Sequence, residues 1–347
     1  MQGNPGSLHG ADRGRLRPCA VLNASPVLAA SGKDKPGPAF HARMPFQPLP
    51  FDPGTRYVDV RMMGVEGFGA IYLIDEEEKA IVETGTSNDV RAILGAIREF
   101  GLRPADIDHV IVSHVHLDHA GGAGFLVREM PNATVYVHER GHKHLVDPSR
   151  LVASAASALG DMASEFGTMA PIPPDRLHAV KDSEALDLGG RVLRFLDSPG
   201  HAPHELTVLD EKNRCVYTGD AAGLYFPADG ILIPITPAPA FDLELNLATF
   251  RRLLDLKPRA LLFSHFGPHD DPREAIRRQL VQYPAWSDLV RRYLKDRGED
   301  GVTEELFRLT CAGAKTYPHD FLRRRIRNSV HGLAAYHERM EHAARGG

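Results

Sequence analysis

Between residues 57 and 138 the chain alternates short apolar runs with amphipathic stretches, the rhythm of strands exchanged with helices. Tyr57–Met63 and Ala70–Ile74 read as two strands joined by a glycine-rich turn, Gly64–Gly69, and Lys79–Glu83 reads as a third. Asn88 is placed to cap a helix running to about Phe100, with Val90, Ile93, Leu94 and Ile97 on one face and Gly101 as its stop. Val110–Ser113 returns to strand, Gly124–Met130 to a helix ended by Pro131, and Thr134–His138 to strand. That order predicts an α/β layered fold.

Two segments interrupt the rhythm. Residues 139–178 contain Ala153–Met169, rich in Ala, Ser and Met and helical in pattern, followed by Pro171, Pro173 and Pro174. This insert reads either as one wall of a substrate cleft or as a packing element. Ala221–Phe241 carries four prolines, Pro227, Pro234, Pro237 and Pro239. After residue 268 the spacing turns helical over Asp271–Arg297, Thr303–Leu309 and Pro318–Ala344. The expected organisation is a loose N-terminal arm over 1–50, an α/β domain over 51–268 and a C-terminal helical extension over 269–347. Arg13, Arg15 and Arg17 precede an apolar stretch, Cys19–Ala30, but Asn23 and Pro26 break it, so it falls short of a clean signal sequence. The rest of the arm is rich in Gly, Pro and Ala, and Met44 is an alternative start.

Composition narrows the class. With 43% hydrophobic and 25% charged residues, a globular chain that can bury a core is expected. The formal net charge is −4, which gives no electrostatic case for nucleic acid as a partner. Cys19, Cys215 and Cys311 are odd in number and far apart, so neither a disulfide framework nor a thiolate zinc site is indicated, and a cytoplasmic location fits. No apolar run reaches the ~18 residues of a membrane span.

The chemistry concentrates in Ser113-His114-Val115-His116-Leu117-Asp118-His119-Ala120-Gly121-Gly122. Imidazole nitrogen and carboxylate oxygen are the ligands of zinc, iron and manganese. In an extended segment residues two apart point the same way, so His114 and His116 can share one metal. Asp118 and His119, just past a turn, can reach a second. Gly121 and Gly122 allow close backbone packing where a helix starts. Three further polar residues follow short apolar or β-branched runs. They are His201 after Val192–Leu196, Asp220 after Cys215–Thr218 and His265 after Ala260–Phe263. Strand ends of this kind are where sites gather on a rigid sheet.

In position and order these residues resemble the metallo-β-lactamase superfamily, over roughly Tyr57 to Gly267. The resemblance implies an αββα metallo-β-lactamase-like sandwich with the metals at one edge between the sheets, followed here by a C-terminal helical appendage. It implies that His114, His116 and His201 hold one metal, that Asp118, His119 and His265 hold another, and that Asp220 bridges them. The family often has Asp before Thr-Gly near the first strands, where this chain has Glu83-Thr84-Gly85. That residue usually supports a ligand rather than being one, so the difference bears on how the site is tuned.

Two divalent metals, zinc first with iron or manganese as alternatives, would lower the pKa of a shared water towards about 7. The expected activity is hydrolysis of a small ester, lactone or thioester, with phosphoesters an alternative. Asp118 and Tyr225 are the catalytic candidates. Similarity to lactone hydrolases, where a tyrosine soon after the bridging aspartate helps hold the substrate oxygen, suggests Tyr225; its other reading is a core or lid aromatic. Iron-dependent redox chemistry is the competing class. Flavodiiron-type proteins tend to have glutamate at the second histidine, against which His116 argues, whereas persulfide dioxygenase-like proteins keep the histidines. The chain shows neither a Gly-x-Ser-x-Gly elbow nor a phosphate loop. His204 reads as a support to the metal ligands or as a turn residue. The run Arg323-Arg324-Arg325 with Arg327 reads either as a grip for an anion or as a solvated helix face. The expected partners are a small-molecule substrate and a second copy of the chain, with no nucleic acid and no membrane.

Overall fold

The computed structural model describes residues 45–159 and 163–346. Most of the expected N-terminal arm thus lies outside the described residues. The end of that arm is ordered into a sheet: β1 (Gln47–Leu49) pairs antiparallel with β2 (Asp52–Asp59). The first sheet continues in spatial order with β3 (Ala70–Asp75), β4 (Lys79–Val82), β5 (His109–Ile111), β6 (Thr134–His138) and β7 (Leu177–Val180). Its strands are antiparallel up to β4 and parallel from there on. The second sheet starts with β8 (Ala185–Asp187), β9 (Val192–Asp197), β10 (Leu206–Asp210) and β11 (Cys215–Gly219). A separate hairpin, β12 (Leu224–Phe226) and β13 (Ile231–Ile233), intervenes. Then β14 (Ala260–Phe263) and β15 (Gly267–His269) complete the second sheet in the order β15-β14-β11-β10-β9-β8.

Alternation along the strands builds the layers. Tyr72, Ile74, Ala80, Val82 and Ile111 of the first sheet share a buried core with Leu193, Phe195, Leu206, Val208, Tyr217 and Leu262 of the second. Their neighbours Ile71, Leu73, Ile81, Val110 and Val135 turn the other way, into a core shared with helices α1 (Val90–Glu99), α2 (Leu117–Ala120) and α3 (Ala123–Glu129). A sheet buried on both faces is why Val110-Ile111-Val112 is continuously apolar. The insert forms α4 (Glu139–Val146), α5 (Ser149–Leu159) and α6 (Ala163–Phe166). The second sheet is followed through α7 (Leu243–Asp255), whose Leu247, Phe250 and Leu253 are buried beside Val216, Leu261 and Phe263 in one core. The result is the expected αββα sandwich.

Asn88 does not cap α1. Its amide donates to the carbonyls of Ser164 and Glu165 in the insert, while Asp89 accepts from the Thr86 N–H and hydroxyl. The C-terminal extension forms two helices, α8 (Pro272–Thr310) and α9 (His319–Gly346), rather than the three expected stretches. Gly298, at φ 64° and ψ 175°, interrupts α8 where the sequence pattern also breaks.

These helices share the main core of the sandwich: Phe68 and Phe226 pack with Tyr317 and Phe321. They also grip one loop. The Thr236 hydroxyl donates to the Ser329 carbonyl at 2.7 Å, and the Ser329 hydroxyl donates to the Pro234 carbonyl at 2.8 Å. Tyr283 of α8 accepts from the Ile235 N–H at 3.1 Å. Gly332 lets α9 approach so closely that a Cβ there would sit 1.5 Å from the Thr236 carbonyl oxygen. Gly332→Ala must therefore push α9 off this loop. The expected cost is about 1–3 kcal/mol, read as a lower urea midpoint; an unchanged midpoint would contradict the docking.

Candidate metal centre

Four strand ends deliver the expected residues to one edge between the sheets. The segment after β5 carries His114 and His116 and enters α2 at Asp118 and His119. His201 follows β9, Asp220 follows β11 directly, and His265 follows β14. Gly122 permits the approach of this segment to the first sheet, since a Cβ there would lie 2.3 Å from the Thr84 carbonyl oxygen. All seven residues expected to bind metal meet here.

They form two groups. In the first, His114 Nε2 and His201 Nε2 lie 2.9 and 3.0 Å from His116 Nδ1. His201 Nδ1 faces the Ile235 carbonyl at 3.3 Å, which places the ring proton there and leaves the Nε2 lone pair aimed at the other imidazoles. Three nitrogens bound tetrahedrally at ~2.0–2.1 Å would lie about 3.3 Å apart, close to what is seen. In the second group His265 Nε2 is 3.2 Å from His119 Nε2 and 3.7 Å from Asp118 Oδ2. Asp220 stands between the groups. Its Oδ2 is 3.5 Å from His201 Nε2, while its Oδ1 is 3.4 Å from His119 Nε2 and 3.7 Å from His265 Nε2. That Oδ1 is buried and has no hydrogen-bond donor among the described residues. A buried carboxylate oxygen ringed by imidazole nitrogens, with no donor, suits a cation. The donor set, five imidazoles and two carboxylates, fits zinc and also iron.

Further carboxylates hold the ligands. Glu83, at the end of β4, places Oε1 3.2 Å from His119 Nδ1, off the line of a good hydrogen bond, and accepts from the Ser264 hydroxyl at 2.8 Å. Thr84 fixes the same histidine through its backbone N–H and hydroxyl, both donating to the His119 carbonyl. Glutamate at this position thus still reaches its histidine. Glu205, which the sequence reading passes over, is fully buried. Its Oε1 accepts the Asp220 N–H at 3.0 Å, and its Oε2 lies 3.1 Å from His114 Nδ1. His204 is also close, its ring 5.8 and 6.2 Å from those of His116 and His114.

Burial, reinforced by the neighbouring imidazoles, holds His114 well below the usual histidine range. Burial likewise lowers His201 and His265, with Asp220 opposing it. These rings are neutral near pH 7, as ligands must be. His119 goes the other way: burial disfavours its charge, but the carboxylates of Asp220, Glu83 and Asp118 outweigh it. Burial alone would raise Asp220, and the surrounding imidazoles hold it below the usual carboxylate range. Burial and the Asp220 charge push Glu205 well above that range.

On β12, alternation sends Leu224 and Phe226 into the core and Tyr225 to the opposite face. Its ring packs on Phe263 and His269, and burial with the charges of Asp270 and Glu274 raises its phenol. Its backbone hydrogen-bonds with His265 and Phe266 beside the centre. Phe68, from the glycine-rich turn, stacks on His265 at 4.4 Å. A lone phenylalanine in such a turn is a weak sequence signal for this role.

A sequence profile of the Metallo-beta-lactamase superfamily matches residues 64–265, more than half of the chain. The protein belongs to that superfamily, whose members are generally metal-dependent enzymes. It is 31% identical over 196 residues to the metallo-beta-lactamase fold-containing protein ST1585 of Sulfurisphaera tokodaii, covering 55% of this chain and 70% of that one. The crystal structure of TTHA1429, a metallo-beta-lactamase family protein from Thermus thermophilus, has the same fold, with a TM-score of 0.60 at 22% identity over 86% of this chain and 93% of that one. The anaerobic nitric oxide reductase flavorubredoxin of Klebsiella pneumoniae is 24% identical over 176 residues. That match takes in 50% of this chain and 31% of the flavorubredoxin.

Two outcomes follow. Glu205→Ala leaves the buried Asp220 N–H without its acceptor, while His114 Nδ1 keeps the Ser113 hydroxyl at 2.9 Å, and should weaken metal binding about 10–100-fold, measured by chelator competition. Equal affinity would remove Glu205 from the site. In the metal-free protein His114, His201 and His265 have folded-state pKa values below the unfolded value of about 6.5. The unfolded chain therefore takes up protons first as pH falls. Each ring that stays neutral in the fold costs up to ~1.4 kcal/mol of stability per pH unit below about 6.5. His119, raised, acts in the opposite sense and loses its contribution as pH rises through its folded pKa. Urea midpoints of metal-free protein should fall between pH 7.5 and 5; a flat profile would contradict neutral buried rings.

Proposed function

We propose that the protein is a binuclear metal-dependent hydrolase of a small ester, lactone or thioester. The observation that carries this reading is the division of the Asp220 carboxylate, one oxygen towards His201 and the other towards His119 and His265. His114, His116 and His201 would hold one metal, Asp118, His119 and His265 the second, and Asp220 both. Two divalent metals bound there, zinc foremost, would polarise the scissile carbonyl and bring a water towards a pKa of about 7.

The chain's own groups do the rest. Asp118 is the most exposed acid of the cluster, with 15% of its side chain accessible, and can accept a proton from the attacking water and pass it to the leaving group. The Thr84 N–H and hydroxyl hold the His119 backbone, and the Ile235 carbonyl keeps the His201 lone pair turned inward. Phe68 and the buried wall behind it exclude water from the His265 side.

The second reading, iron-dependent redox chemistry, has the likeness to a nitric oxide reductase flavorubredoxin in its favour. Zinc has no redox chemistry, so the two readings separate cleanly. Zinc-loaded protein should cleave an ester, lactone or thioester without oxygen, and Asp220→Ala should lose both bound metal and turnover. Zinc protein inert on all three substrates and on phosphoesters, with an iron form that consumes oxygen in the presence of a thiol or persulfide, would overturn the hydrolase reading.

A further inference from the structure

The basic run of α9 divides in the structure. Arg323 pairs with Glu304 at 2.8 Å and with Asp320 at 3.4 Å, and Arg327 pairs with Asp300 at 3.2 Å. Arg324 is exposed. Arg325 alone turns inward, on the row of the helix that also carries Phe321 and Ser329. It is 6% exposed.

Such an arginine ordinarily carries a paired carboxylate. Arg191 shows this elsewhere in the same fold, buried with Asp52 at 2.8 Å and Asp210 at 3.0 Å. Arg325 has no ion pair or hydrogen bond from its guanidinium among the described residues. Its guanidinium lies over Phe68 at 5.7 Å and Phe321 at 5.2 Å, and Phe68 in turn stacks on His265. The unpartnered atoms are Nε and Nη2, both closed to solvent, so a ligand meets them only where the neighbouring side chains shift. These two N–H groups form one edge of the guanidinium, the fork that matches a carboxylate with two parallel hydrogen bonds.

The electrostatics agree. Burial pulls the Arg325 guanidinium down, and the charges of Asp118, Glu165 and Asp220 act against it from a distance. None of the three is within ion-pair reach. Metals held by Asp118 and Asp220 would offset those charges and leave Arg325 as an uncompensated buried cation beside the centre.

We propose that Arg325 is the specificity-determining residue of the site, and that its Nε–Nη2 edge binds a carboxylate of the substrate. The inference rests on the cluster being the catalytic centre; it adds that the preferred ester, lactone or thioester carries a carboxylate on the part held towards α9.

The test is binding, which needs no turnover. Zinc-loaded full-length protein is titrated by calorimetry with succinate, with neutral succinamide and with inorganic phosphate. Wild type should bind succinate at least tenfold tighter than succinamide. Arg325→Gln should lose at least tenfold in succinate affinity at unchanged zinc content and melting temperature. Arg325→Lys, which keeps the charge without the fork, should recover only part of it. In turnover the Arg325→Gln variant should lose at least tenfold more kcat/KM for monophenyl succinate than for phenyl acetate. Equal succinate affinity in wild type and Arg325→Gln would overturn the proposal. So would Arg325-dependent binding that prefers phosphate, or zinc loss in both variants, which would make Arg325 a charge-balancing residue. Succinate binding that depends on Arg325 in a protein inert on every ester would sink the hydrolase reading and leave this one standing.

Discussion

The structure depends on one buried carboxylate. Asp220 sits at the end of a central strand with its oxygens directed at imidazoles from three other strand ends. A buried acid ringed by imidazole nitrogens suits a cation shared among them. Glu205 holds the Asp220 backbone and faces His114, Glu83 faces His119, and the Ile235 carbonyl fixes His201. Hydrogen bonds fix two of the rings from behind, His201 through the Ile235 carbonyl and His114 through the Ser113 hydroxyl.

The C-terminal helices belong to the same arrangement. They clamp the Pro234–Thr236 backbone from two sides, through Tyr283 and through Ser329. Because that loop presents Ile235 to His201, helix docking and ligand orientation are coupled. The helices also bring Phe321 and Arg325 against Phe68, whose other neighbour is His265. An extension that looks like an addition to the sandwich therefore shapes both the support and the approach to the centre.

Much of this is legible in the sequence because metal chemistry constrains residue type and spacing together. The run from His114 to His119 must carry ligands on the two sides of a turn, and each later ligand must follow a buried strand. What escapes reading depends on pairing or docking. Tyr225 and Phe226 are adjacent, and only the pairing of β12 with β13 decides that Phe226 faces the core. Glu205 reads as an ordinary turn acid until β10 pairs with β9 and buries it beneath Asp220. Arg325 looks like its neighbours in an arginine run, and the seating of α9 on Phe68 selects it. Asn88 does not cap α1: the insert, distant in sequence, offers carbonyls for its amide, and Asp89 takes the N-cap position with its carboxylate turned to Thr86.

The central claim is that Asp220 joins two metals, and a crystal structure of the zinc-loaded protein with anomalous scattering at the zinc edge tests it most directly. The account predicts two peaks about 3.5–4 Å apart, one among His114, His116 and His201 and the other among Asp118, His119 and His265, each touched by one Asp220 oxygen. A single peak, or two peaks with Asp220 bound to only one of them, would contradict it.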